Sequence, residues 1–120
     1  MTRQVLTVDL RDDPEAIATY VEHHRRVWPE VIASLRQVGV EQMDIRLLGR
    51  RLVMIVELRD GADFVSAFGS RVASNGRVAE WERLMRSLQE PVADAAPGEW
   101  WARMEQVFSL NGNHQGPTPR

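Results

Sequence analysis

A chain of 120 residues is long enough for one domain with a core of its own, so no staple is required to hold it folded. Its hydrophobic content of 43% and formal net charge of −2 describe an ordinary globular protein and leave no general attraction to nucleic acid or to an anionic membrane. With no cysteine, disulfide frameworks and thiolate chemistry are excluded; the opening MTRQVLTVDL lacks a signal-peptide core, and the longest apolar run, Leu52 to Val56, is too short to span a bilayer. The expectation is a cytoplasmic protein.

Gln4 to Leu10 alternates Val5, Thr7 and Asp9 against Leu6, Val8 and Leu10, the period of a strand. Asp12-Asp13-Pro14 then signals a helix start, because a short acidic side chain accepts free backbone N–H groups and proline suits the first turn. The following helix carries Ile17, Tyr20, Val21, Val27, Trp28, Val31, Ile32, Leu35 and Val38, mostly at three- and four-residue spacings, until Gly39. Pro29 removes one helical hydrogen bond and disfavours helical geometry at Trp28, which predicts a kink or a restart there.

Gln42 to Leu48 and Leu52 to Leu58 read as two strands joined through Gly49-Arg50-Arg51 in a tight hairpin, the second of them apolar on both faces until Glu57 and therefore central. A short helix over Asp63 to Gly69 and a turn at Ser74-Asn75-Gly76 precede an amphipathic helix from Arg77 to Gln89. After a loop from Pro91 to Gly98, a last strand is expected over Arg103 to Ser109, and the polar tail from residue 111 has too little apolar surface to pack. Residues 1–110 thus form a single α+β domain. The order strand, helix, strand, strand, helix, strand is the ferredoxin-like arrangement, an antiparallel sheet with helices on one face. Covering the other face calls for a second copy, packed sheet against sheet in a dimeric α+β barrel.

The chemistry-bearing segment is Tyr20 to Glu30, YVEHHRRVWPE. On a helix, Tyr20, His24 and Trp28 share a face, and His24 sits on the apolar stripe of Ile17, Val31 and Leu35, whereas His23 lies off it and reads as solvated. An inward histidine is either a core residue satisfied by a backbone carbonyl or a proton-transfer group working near neutral pH. Glu57, ending the apolar run VMIVEL, is either an acid–base group or a partner of Arg46 or another arginine. Trp81 belongs with Leu84, Met85 and Leu88 to a core stripe on the third helix. No histidine pair has the i, i+4 spacing of a helical zinc site, and no phosphate loop, dinucleotide fingerprint or nucleophile elbow occurs, so a metal site is not expected.

These residues resemble the L-rhamnose mutarotase family. The likeness runs from about Val5 to Leu110 and rests on Tyr20-x-x-x-His24-x-x-x-Trp28-Pro29-Glu30, Gly39, Val56-Glu57, the helix with Trp81 and Met85, and Met104-Glu105-Gln106-Val107-Phe108. It implies a homodimeric barrel with no cofactor and a monosaccharide as partner, in which His24 is the proton donor and Tyr20 contacts sugar. Met43 stands where the rhamnose pattern has a substrate-contacting tyrosine, and Trp81-Glu82 where it has a tryptophan pair. The segment from Asn75 to Phe108 is more similar to a branch assigned to L-fucose.

The activity implied by this resemblance is interconversion of the α and β pyranose forms of a 6-deoxy-L-hexose, L-fucose before L-rhamnose. Protonated His24 would serve the ring oxygen and Glu57 the anomeric hydroxyl, with Tyr20, Trp28, Met43, Trp81 and Glu82 shaping the sugar site. The rival readings are a cyclase or cofactor-free oxygenase on the same barrel and a small-ligand-binding module without turnover.

Overall fold

The computed structural model describes residues 2–111. Apart from Asn111, the tail expected to stay unpacked lies outside the described residues. Strand β1, Thr2–Leu10, leads into helix α1, Pro14–His23, which starts where Asp13 accepts a hydrogen bond from the Glu15 N–H at 3.1 Å. The helix does not merely kink at Trp28. It has already ended at His23, and α2, Pro29–Gln37, begins afresh after Trp28, which is held extended at ψ 137° ahead of the proline that opens the new helix.

Gly39 closes α2 with φ +101°, a conformation that favours glycine, and a Cβ there would press on the Arg59 side chain, whose Nε would lie 3.0 Å away. Strand β2, Val40–Leu48, starts earlier than its alternation suggested, through a bulge between Val40 and Gln42. Gly49 at φ +63° turns the chain into β3, Arg51–Leu58. Helix α3 covers Phe64–Ser74, capped by Asp63, and α4 covers Gly76–Leu88, capped by Asn75, whose side chain accepts from the N–H groups of Arg77 and Val78. Gly69 was expected to end α3; the helix runs on past it and carries Arg71 into the interior.

Two short pieces complete the sheet: β4, Gln89–Glu90, and β5, Ala102–Arg103, follow one another along the free edge of β1. The strand order is β2-β3-β1-β4 and all pairings are antiparallel, with β3 interior as its composition predicts. The last strand is shorter than the expected Arg103 to Ser109: after a final bond from the Met104 N–H to the Val5 carbonyl at 2.8 Å the chain leaves the ladder, and Met104, Val107, Phe108 and Leu110 are exposed.

Pairing fixes which side chains share a face. Leu6, Val8, Leu10, Leu52, Met54, Val56 and Leu58 point under the helices and form the core with Tyr20, Val31, Phe64, Trp81 and Met85. On the other face lies a strip of half-buried Val5, Val53 and Ile55, bordered by Arg3, Gln42, Asp44, Arg46 and Glu57. That face is less apolar than expected on its β2 side, where every second residue from Gln42 to Arg46 is polar.

Candidate active site

A solvent-connected cavity of about 760 Å³ opens between the helices and the β2–β3 side of the sheet, within the range of small-molecule sites. Its wall includes Tyr20, His24, Met43, Trp81 and Glu82 of the residues expected from sequence, joined by Met54, Arg71, Gln89 and Trp101.

His24 occupies the C-cap of α1, where its backbone (φ −81°, ψ −4°) prolongs the last turn and keeps it one turn from Tyr20. The Nδ1 lies 2.8 Å from the Tyr20 carbonyl oxygen. A carbonyl can only accept, so Nδ1 carries a proton and Nε2 is the nitrogen that exchanges one. The ring is clamped by aromatic neighbours, stacked on Tyr20 at 4.2 Å between centroids and set edge-on to Trp81 at 5.5 Å. Burial lowers the pKa of His24 below its ordinary value and the charge of His23 pushes the same way, while the bond to the Tyr20 carbonyl opposes them. This favours the neutral ring over the imidazolium at rest. Tyr20 is pushed far upward, chiefly by burial, against the effect of a hydrogen bond with Gln89; its phenol stays protonated.

Glu57 is not brought to this cavity. It shares its cross-strand position with Arg3 on the opposite sheet face and accepts from Arg3 Nη2 at 2.8 Å and Nε at 3.1 Å. The expected inward position is thereby corrected, since Leu52, Met54, Val56 and Leu58 take the inward parity of β3 and leave Glu57 the outward one. Trp28 also stands outside the cavity lining. With α1 ended before it, its ring packs behind Trp81 at 5.0 Å and under the Arg77 guanidinium at 3.8 Å, so it supports the wall without forming it. His23, expected to be solvated, is half-buried, with Nδ1 on the Thr19 carbonyl at 2.9 Å and its ring edge-on to Trp81.

Arg71 was missed by sequence reasoning. It is one of the most deeply buried side chains and bonds Ser34 Oγ and Glu82, and its signal lay in the spacing Phe64, Ala67, Arg71, an arginine on an apolar helical stripe. Among the described residues no group of three or more histidine, aspartate and glutamate side chains is placed to hold a metal ion, and no helix is long and apolar enough to cross a membrane.

A one-chain cavity with a clamped imidazole fits acid–base work on a small polar molecule, and comparison with known proteins decides which. Residues 3–110 match the model of the family described as L-rhamnose mutarotase. The chain belongs to the L-rhamnose mutarotase family. An L-fucose mutarotase of Xanthomonas campestris pv. campestris is 39% identical over 113 residues, covering 92% of this chain and 90% of the relative. In three dimensions the chain is similar to an L-rhamnose mutarotase of Formosa agariphila, with a TM-score of 0.64 and 19% identity over 92% of this chain and 99% of that one. It is also similar to tetracenomycin F2 cyclase of Streptomyces glaucescens, with a TM-score of 0.53 and 15% identity over 91% and 96% of the two chains. At those identities the structural likenesses speak for the fold alone. Family membership makes this mutarotase an isomerase acting on carbohydrates.

Proposed function

We propose that the mutarotase interconverts the α and β pyranose forms of a 6-deoxy-L-hexose, with L-fucose preferred over L-rhamnose and His24 as the chief proton-transfer residue. The observation that carries this is His24 itself: Nδ1 is committed to the Tyr20 carbonyl, and the ring borders a cavity walled by Trp81 and Glu82. In the forward direction Nε2 of the neutral ring takes the proton of the anomeric hydroxyl, the bond from C1 to the ring oxygen breaks, and the imidazolium returns the proton to that oxygen. Both oxygens are bonded to C1, so one imidazole can serve them in turn without a second base. Rotation about C1–C2 and the reverse sequence close the other anomer. Because anomers also equilibrate unaided, one acid–base contribution of about 10²–10⁴ is enough to matter.

Tyr20 supplies a protonated phenol, Trp81 and Met43 apolar surface for the deoxy edge of the sugar, and Glu82 an acceptor for a hydroxyl. Trp28 enters this reading as the backing of Trp81. The L-fucose preference is supported by the named relative from Xanthomonas and by Glu82 at the position of a tryptophan in the rhamnose pattern. Work on a cytoplasmic sugar pool belongs to the same reading. Saturation-transfer NMR of anomeric exchange tests it: L-fucose is expected to exchange faster with protein than without, L-rhamnose less so, and D-glucose at its spontaneous rate. No acceleration of either deoxy sugar would leave the binding-module reading, and faster L-rhamnose exchange would reverse the preference.

The depressed His24 pKa sets the pH profile. After subtraction of the spontaneous rate, exchange should rise with pH as the ring loses its proton and level off below about pH 6.5, the ordinary histidine value. For stability the sign is the same. The unfolded chain binds this proton more readily, so the contribution is intact above about pH 6.5 and is lost as pH falls through the lower folded value. A rate still climbing above neutrality would mean that another group is titrating.

A homodimer joined through the open sheet face completes the proposal. Val5, Val53 and Ile55 are only half-buried in one copy, and Val107, Phe108 and Leu110 extend from it exposed. Light scattering at micromolar concentration should give twice the chain mass, and a stable monomer would refute this assembly.

A further inference from the structure

Among the charged residues of the cavity wall, Arg25, Arg36 and Glu41 are exposed, whereas the Arg71 side chain is 2% exposed and that of Glu82 24%. A buried guanidinium is costly unless its donors are used. Here Arg71 Nε donates to Ser34 Oγ at 2.9 Å and Nη1 to Glu82 Oε2 at 3.1 Å, and its Cζ lies 4.8 Å from the centroid of the Phe68 ring. Ser34 Oγ in turn donates to the Val31 carbonyl at 2.7 Å, which turns its lone pairs toward Arg71. The chain of bonds runs from α2 through α3 to α4 and ends on a carboxylate in the cavity wall.

Glutamate side chains have several free torsions, and an unanchored one is a poor recognition element because binding must first order it. Fixing Oε2 removes that cost and aims the carboxylate in advance. L-Fucose and L-rhamnose differ in configuration at C2 and C4, so a fixed acceptor meets a hydroxyl of one sugar and misses that of the other. A site built to bond a hydroxyl discriminates strongly against an analogue that leaves its buried polar group unpaired.

We infer that Arg71 is a positioning residue that fixes Glu82 as the acceptor for a hydroxyl whose configuration differs between the two sugars, and that this pair sets the sugar preference. The inference rests on the mutarotase proposal above. Arg71 acts through Glu82 and does not itself exchange protons.

The test is saturation-transfer kinetics over a range of L-fucose and L-rhamnose concentrations for the wild type, Glu82→Gln, Arg71→Lys and the double variant. In Glu82→Gln the KM for L-fucose should rise roughly tenfold, as expected for a lost charge-assisted bond, and the KM for L-rhamnose by clearly less, so that the ratio of the two kcat/KM values moves toward L-rhamnose. Arg71→Lys keeps the charge and loses the planar fork, so it should shift the same constant in the same direction, with no further shift when added to Glu82→Gln. Equal rises in KM for both sugars, or additive shifts, overturn the inference and leave the pair as a helix cross-link. Should Arg71→Lys fail to fold, Glu82→Asp, which withdraws the carboxylate by one methylene, must show the same L-fucose-selective rise. A wild type that accelerates neither sugar refutes the mutarotase proposal, whereas an active wild type with an unchanged sugar ratio in Glu82→Gln refutes this inference alone.

Discussion

Replacing His24 with alanine is expected to slow enzyme-dependent anomeric exchange by roughly 10²-fold or more while leaving the protein folded. The residue is half-buried, its Nδ1 is taken by the Tyr20 carbonyl, and its ring stacks on Tyr20. A purely structural histidine would have the same contacts, so activity and stability must be read on one preparation. Loss of the hydrogen bond and the ring packing should cost about 1–3 kcal/mol, a fraction of the total for a domain of this size. Exchange falling by two orders of magnitude in protein that still melts cooperatively marks the proton-transfer role. Near-normal exchange in the folded fraction would reduce His24 to a packing residue and hand the proton transfer to another group. Added imidazole gives a further control: after subtraction of its own catalysis of the free sugar, it should restore part of the rate in His24→Ala and leave the wild type unchanged.

The parts of this fold that were legible in the sequence are those decided by neighbours in the chain. Asp13-Pro14 opens a helix because the cap and the ring act on the very next N–H groups, and Trp28-Pro29 restarts one for the same local reason. Tyr20 and His24 stay paired because one helical turn separates them, whatever happens beyond. Where tertiary contacts compete with local preference, the reading from sequence failed. Gly69 costs a helix only about 1 kcal/mol, and α3 runs through it to place Arg71 between Ser34 and Glu82. Glu57 was misplaced because β3 is apolar on both faces and its composition alone does not say which parity points under the helices; the pairing with Arg3 settles it. The terminal strand fell short for a related reason. An alternating run becomes a strand only where something covers it, and Val107 and Phe108 stay exposed in one chain.

The largest loss of stability is expected from Trp81→Ala. Trp81 is 4% exposed, and its ring is touched by His23, His24 and Trp28 together, with centroid distances of 6.1, 5.5 and 5.0 Å. It lies in the cluster with Val8, Leu10, Tyr20 and Leu52, so its removal opens a void against the middle of the sheet, where the strands cannot collapse to fill it. Truncating a buried tryptophan costs about 3–5 kcal/mol, comparable to a large part of the 5–15 kcal/mol that holds a typical domain. Thermal unfolding should show this as a midpoint lowered by roughly 12–20 °C. The same ring braces His24, so the surviving folded protein should also exchange anomers more slowly. Trp28→Ala provides the contrast: that ring is half-buried, outside the cavity, and sandwiched between Trp81 and Arg77, so its loss should be the milder of the two. If Trp28→Ala proved the more damaging in both melting and exchange, the cavity wall would have to be redrawn around Trp28, and Trp81 would become its support.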